Sequence, residues 1–149
     1  MAYIKQERAP VRRRPNGLGS TYVVSWKLDN SQMPLKGSER SKIVDELRAN
    51  HGERYFLLAY VVMDDCVFVL FKPNELAPRR VAQDWRGYTA RRLAAECDRD
   101  GVIWDVDTQE RTVVGQFAIV SAADELMNKP YRKWRKIESY RWAECLELW

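Results

Sequence analysis

Apolar and polar positions change period several times along the chain. TYVVSWKL, residues 21–28, is β-branched and aromatic and predicts a first strand, closed by the turn-prone Asp29, Asn30 and Ser31. SERSKIVDELRAN predicts a helix, with Ser38 as its cap, Ser41 in the first turn and a narrow apolar stripe of Ile43, Val44 and Leu47. RYFLLAYVVM and CVFVLF are two apolar runs separated by Asp64 and Asp65, the pattern of two central strands joined by a tight connection. Their near-continuous apolarity implies burial on both faces, or cover by a partner subunit.

From about Pro78 to Arg99 the period becomes helical. Val81, Trp85, Tyr88 and Leu93 are expected to face the sheet, Arg80 and Arg91 to project from the other side, and Arg79 and Arg86 to flank them. A short extended segment is expected in VIWDV or RTVVG, and QFAIVSAADELMN reads as the last full helix. Asn128, Lys129 and Pro130 are expected to end it, because proline disfavours helical geometry in the residue before it. The order of strand, helix, strand, strand, helix, strand, helix predicts an α+β fold. Its expected form is a ferredoxin-like antiparallel sheet with helices on one face, an extra C-terminal helix and an irregular tail.

The length of 149 residues is that of one domain, read as residues 21–149 behind a basic arm of residues 1–20. In the arm, Arg12, Arg13 and Arg14 are bracketed by Pro10 and Pro15, with too little apolar material to order by itself. A segment lying along a phosphate backbone and a solvated leader are equally good readings of it. The net charge of +4 is likewise that of a protein with an acidic partner or of an ordinary basic surface. The three cysteines, Cys66, Cys97 and Cys145, are widely separated and lack a CxxC spacing, so reduced thiols are expected, with neither a disulfide framework nor a zinc site. No apolar run approaches the roughly 20 residues of a bilayer span and no signal-peptide core follows the arm, so the default location is the cytoplasm, with no membrane partner.

YVVMDDCVFVLFKP, residues 60–73, resembles the signature strand pair of the single-tyrosine HUH transposases, and in particular of the REP-associated tyrosine transposases. There the stretch usually reads Tyr-Val-Leu-Met-Pro-Asn-His-Val-His, followed by aliphatics and often a proline. YVVSWKL is similar to the family's first strand, DWRGYTARRLAAE to the helix that often reads Lys-Ser-Phe-Thr-x-Arg, and GVIWD to its Gly-x-x-Trp-Gln segment. NKPYRKWRKIESYRW stands where the family has Asn-Pro-Val followed by Tyr-x-Trp, so the likeness runs over roughly residues 18–143.

The resemblance implies a chemistry that these residues do not supply. Side chains two apart on a strand share a face, so the family's two imidazoles can hold one divalent cation against a scissile phosphate, which a tyrosine then attacks. Here those positions are Cys66 and Phe68; a phenyl ring offers no ligand, and a lone thiol is a soft donor for a hard ion. The single histidine, His51, lies at the expected end of the first helix. Aligning Pro130 with the family's Tyr-Ile-x-x-Asn-Pro motif puts Glu125 at the tyrosine, Leu126 at the isoleucine and Lys129 at the asparagine. No catalytic residue, metal site or cofactor is therefore expected. Asp64 and Asp65 read as turn residues before a Mg²⁺ site, and Cys66 as a small core residue before a reactive thiol, since only His51 could serve it as a base.

The expected activity is nucleic-acid binding on an inactive transposase-like scaffold. The candidate contacts are Arg12, Arg13, Arg14, Lys72, Arg79, Arg80, Arg86, Arg91 and Arg92, then the late run of Tyr131, Arg132, Lys133, Trp134, Arg135 and Lys136. Trp104 and the Gly87, Tyr88, Thr89 segment are weaker candidates, whose aromatics can equally complete the core. A DNA hairpin or single-stranded DNA is the partner the resemblance implies, together with a homodimer; RNA stays open, because stacking and backbone contacts serve both. Two other readings stand beside it: a domesticated protein-interaction or structural subunit without DNA binding, and an active DNA transposase using other residues.

Overall fold

Runs rich in Val, Tyr, Phe and Leu form the inner strands because their branched and aromatic side chains pack on a pleated surface covered from both sides. The computed structural model describes residues 20–146; apart from Ser20 the expected basic arm, with Arg12, Arg13 and Arg14, lies outside the described residues. The elements are β1 (Thr21–Leu28), α1 (Gly37–Arg48), β2 (Tyr55–Val62), β3 (Cys66–Pro73), α2 (Pro78–Cys97), β4 (Trp104–Val113), α3 (Gln116–Lys133) and β5 (Ala143–Cys145). They build a five-stranded sheet of order β4-β1-β3-β2-β5. Every neighbouring pair is antiparallel, and the first four strands have the ferredoxin-like arrangement.

Strand alternation divides the core between two faces. Val24, Trp26, Val67, Val69 and Phe71 point to the side covered by α1 and α2, where Ile43, Leu47, Val81, Trp85 and Leu93 meet them. Val23, Leu58, Ala59, Val61 and Leu70 point to the other side, under Ala122, Ala123 and Leu126 of α3. A bulge between Leu57 and Ala59 lets Leu57 join the first cluster and the adjacent Leu58 and Ala59 the second. The extra helix thus supplies the second cover that the apolarity of β2 and β3 calls for.

Several boundaries differ from the sequence expectation. Helix α1 begins at Gly37, so Ser38 is not its cap; the Glu39 carboxylate closes the first turn by accepting from the Lys36 backbone N–H at 2.8 Å. Tyr88 does not face the sheet but is 43% exposed, and Ala82 and Thr89 take the inner positions beside Val81, Trp85 and Leu93. The extended segment is not confined to VIWDV or to RTVVG: a single strand, β4, runs from Trp104 to Val113, because its whole length pairs with β1. Pro130 does not end the last helix. It lies buried inside α3, which runs on to Lys133, and a proline near a helix end removes one hydrogen bond at a point where the ring's burial offsets the loss.

The tail folds back onto the sheet. β5 pairs with β2, the Tyr140 hydroxyl donates to the Val62 carbonyl at 2.6 Å, and Trp142 Nε1 donates to Ser41 Oγ at 3.0 Å. Gly37 makes room for this return, since a Cβ there would stand 3.0 Å from the Trp142 ring.

Candidate nucleic-acid interface

Cross-strand register sets one row of side chains on the face that α3 covers: Gln109 of β4 opposite Ser25 of β1, and Ser25 opposite Phe68 of β3. Two residues along, Arg111 stands opposite Val23. Helix α3 covers this face incompletely, and between its Glu125, Leu126 and Lys129 and the row of strand residues lies an open cleft that Glu110 also lines. Glu125 and Lys129 are one helical turn apart and therefore share a helix face. The Glu125 carboxylate pairs with Arg111 at 3.3 Å, and the Lys129 ammonium sits 4.2 Å from the centroid of the half-buried Phe68 ring.

The positions singled out by the transposase resemblance converge here. Phe68 and Glu125 both line the cleft, and Cys66 lies on the same face of β3, two residues from Phe68. Burial, reinforced by the neighbouring Asp65 carboxylate, pushes the Cys66 thiol up to about 12, which keeps it protonated at neutral pH. Asp64 and Asp65 form the β2–β3 connection and are engaged by Lys133 at 2.5 Å and 3.3 Å. Burial works against the Lys133 ammonium, yet the two carboxylates raise its pKa overall. The helical turn after Pro130 is what brings Lys133 to them.

His51 is elsewhere. It bridges to Tyr55 at the start of β2, and Tyr55 pairs with Pro73, seven residues along β3 from Cys66, or roughly 23 Å. Its Nδ1 accepts the Leu57 backbone N–H at 2.9 Å, and burial holds its pKa below the usual value. Among the described residues no group of three or more His, Cys, Asp or Glu is placed to hold a metal ion.

The basic candidates fall into two sets. Arg86 donates to the carbonyls of Asp105 and Val106 and to Thr108 Oγ1, joining α2 to β4, and Arg92 joins α2 to α1 through Asp45, Glu46 and its own neighbour Glu96. Arg80 shares Asp84 with Arg54, and Arg91 lies 5.1 Å over the Tyr88 ring. Arg79 is exposed, and alternation along β3 puts Lys72 on the α3 face. In the late run Trp134 stacks on Tyr140 at 5.4 Å, with the Arg40 guanidinium 6.0 Å from its ring. Tyr131, Arg132, Arg135 and Lys136 are exposed, and those three cations have no partner among the described residues. Trp104 is core, its indole N–H donating to Thr89 Oγ1 at 3.0 Å.

Ser25, Gln109 and Arg111 were not among the sequence candidates. Ser25 alternates with the buried Val24 and Trp26, but Gln109 and Arg111 lie in an exposed stretch of β4 with no such alternation, and only the β1–β4 register brings the three together over Phe68.

No protein-family model matches the chain, and no curated protein matches it. Among solved structures it resembles a REP-associated tyrosine transposase bound to a REP hairpin, with a TM-score of 0.60, 12% identity, and cover of 88% of this chain and 75% of that one. It also resembles a candidate transposase of Deinococcus radiodurans, with a TM-score of 0.52, 19% identity, and cover of 82% of this chain and 96% of that one. The chain shares the transposase fold with both; at these identities the likeness is one of fold.

Proposed function

We propose that the protein is a catalytically inactive, transposase-like protein that binds structured single-stranded nucleic acid, a DNA hairpin before an RNA. The observation that carries this reading is the run of exposed cations Arg132, Arg135 and Lys136, unpartnered among the described residues, which continues α3 beyond the cleft that holds Phe68 and Glu125. Cations without intramolecular carboxylates are the ones whose charge is available to phosphate. The fold shared with a transposase bound to a REP hairpin supports the choice of ligand. The inactive half of the reading rests on side-chain chemistry: Phe68 and Glu125 supply neither an imidazole nor a phenol, Cys66 is held as a thiol, and His51 is at the far end of the hairpin.

Binding of a labelled DNA hairpin, its unstructured single strand, an RNA hairpin and a DNA duplex, at low and near-physiological salt, tests it, with the same samples checked for covalent product in Mg²⁺ or Mn²⁺. Hairpin preference that survives the higher salt, with no covalent product, is the expected result. Covalent product would restore the active-transposase reading.

A second reading, a protein-interaction subunit, draws on one observation: Val114, Phe117 and Val120 are exposed together around the start of α3. It takes first place if none of the four nucleic acids binds.

A further inference from the structure

We infer that the cleft over Phe68 takes the face of one unpaired nucleobase. The inference rests on the nucleic-acid reading above and narrows it to a single contact. The cleft has an apolar floor, Phe68 with Leu126, and a rim that carries both hydrogen-bond donors and acceptors, the Gln109 amide and the Ser25 hydroxyl. Its charges are already engaged: Arg111 and Glu125 are paired at 3.3 Å and the Lys129 ammonium sits on the Phe68 ring, while Glu110, opposite Val24, turns its side chain to the other face of the sheet.

The apolar floor and the Arg111–Glu125 pair select the ligand. A phosphate gains little over an apolar floor where one of the two cations is already held by the Glu125 carboxylate, whereas a base is flat and uncharged, with donors and acceptors around its edge. A base in a duplex has its face and edge occupied; an unpaired one presents both. The Phe68 ring is half-buried and covered on its open side by the Lys129 ammonium at 4.2 Å. Lysine is the mobile partner, on a flexible four-carbon stem, and an exposed ammonium–ring contact is weaker than the stack of a base on an aromatic ring. The base replaces the ammonium over the ring. Lys129 swings outward on the same helix face, toward the phosphate that follows that base along the strand.

Two measurements test the cleft. In the first, the full chain is titrated with millimolar dAMP, dGMP, dCMP and TMP, and separately with inorganic phosphate, following the NMR signals of the Gln109 side-chain amide and the Phe68 ring. At least one nucleotide is expected to shift both signals while phosphate shifts neither. Silence from all four nucleotides, or an equal response to phosphate, overturns the inference.

In the second, abasic sites are moved one by one through the unpaired positions of a bound hairpin with single-stranded flanks. One position is expected to lose on the order of tenfold in affinity for the wild-type chain and to lose nothing for Phe68→Leu, whose folding is checked by circular dichroism. Equal sensitivity in both proteins, or no sensitive position, overturns the cleft and leaves the binding function intact. Hairpin binding that fails altogether removes instead the reading on which the cleft rests.

Discussion

Arg99 donates from Nε to one oxygen of Glu39 at 2.6 Å and from Nη2 to the other at 2.8 Å, with only 9% and 5% of the two side chains exposed. The pair ties the residue that closes the first turn of α1 to the segment after α2. Its hydrogen bonds with Arg99 hold the Glu39 carboxyl below its ordinary 4.5, against the opposing effect of burial. A carboxyl whose pKa is lower in the folded state adds stability that is complete above the unfolded value and disappears as pH falls through the folded one. Glu39→Gln is expected to cost about 3 kcal/mol at neutral pH, because it leaves the Arg99 charge buried and unpaired. Thermal unfolding from pH 7 down to pH 3 should show the gap between wild type and variant narrow only below the ordinary carboxylate range.

The basic residues that build the fold separate experimentally from those available to a ligand. Arg86→Ala removes donors to two backbone carbonyls and to Thr108, and should destabilise the protein by about 1–3 kcal/mol in urea unfolding. Replacing Arg132, Arg135 and Lys136 together by glutamine should leave stability within about 0.5 kcal/mol of wild type, as expected for exposed sites. The same triple variant should lower the slope of log affinity against log salt by about 2, the share of three single-strand phosphate contacts.

The face that holds Cys66, Phe68 and Glu125 still has the spacing of a metal site without its ligands. Cys66→His with Phe68→His places two imidazoles on one face of β3, with Glu125 in the adjoining cleft as an oxygen donor. The double variant is expected to bind Co²⁺ with a visible absorption band that wild type lacks. No band at millimolar metal would show that the two positions do not converge.

Thiol reactivity should not favour the position that the transposase resemblance singles out. Burial raises both thiols, but Cys145 is exposed on the edge strand whereas the partly buried Cys66 is pushed up to about 12, so at pH 8 a disulfide reagent should label Cys145 well before Cys66. Mass spectrometry of partially labelled protein checks the order; first labelling at Cys66 would mean that the β2–β3 connection opens readily.

Local pattern was enough for β1, β2 and β3, for the place of each helix and for the α+β order, because burial on a pleated or helical surface writes its period into neighbouring residues; it gave β4 only as a short segment and missed β5 in the tail. The same alternation put Cys66 and Phe68 on one face, and the absence of a second histidine was plain from the composition. Tertiary structure decided what depends on partners distant along the chain. Pro130 stays helical with its ring buried, and Tyr88 is exposed while Thr89, one residue on, is taken by Trp104. Arg86 and Arg135 look alike as arginines in basic runs; the first is spent on carbonyls about 20 residues away and the second is free among the described residues. The cleft over Phe68 draws its lining from β1, β3, β4 and α3, and no local period carries that meeting, since it follows from strand register and from how far α3 extends across the sheet.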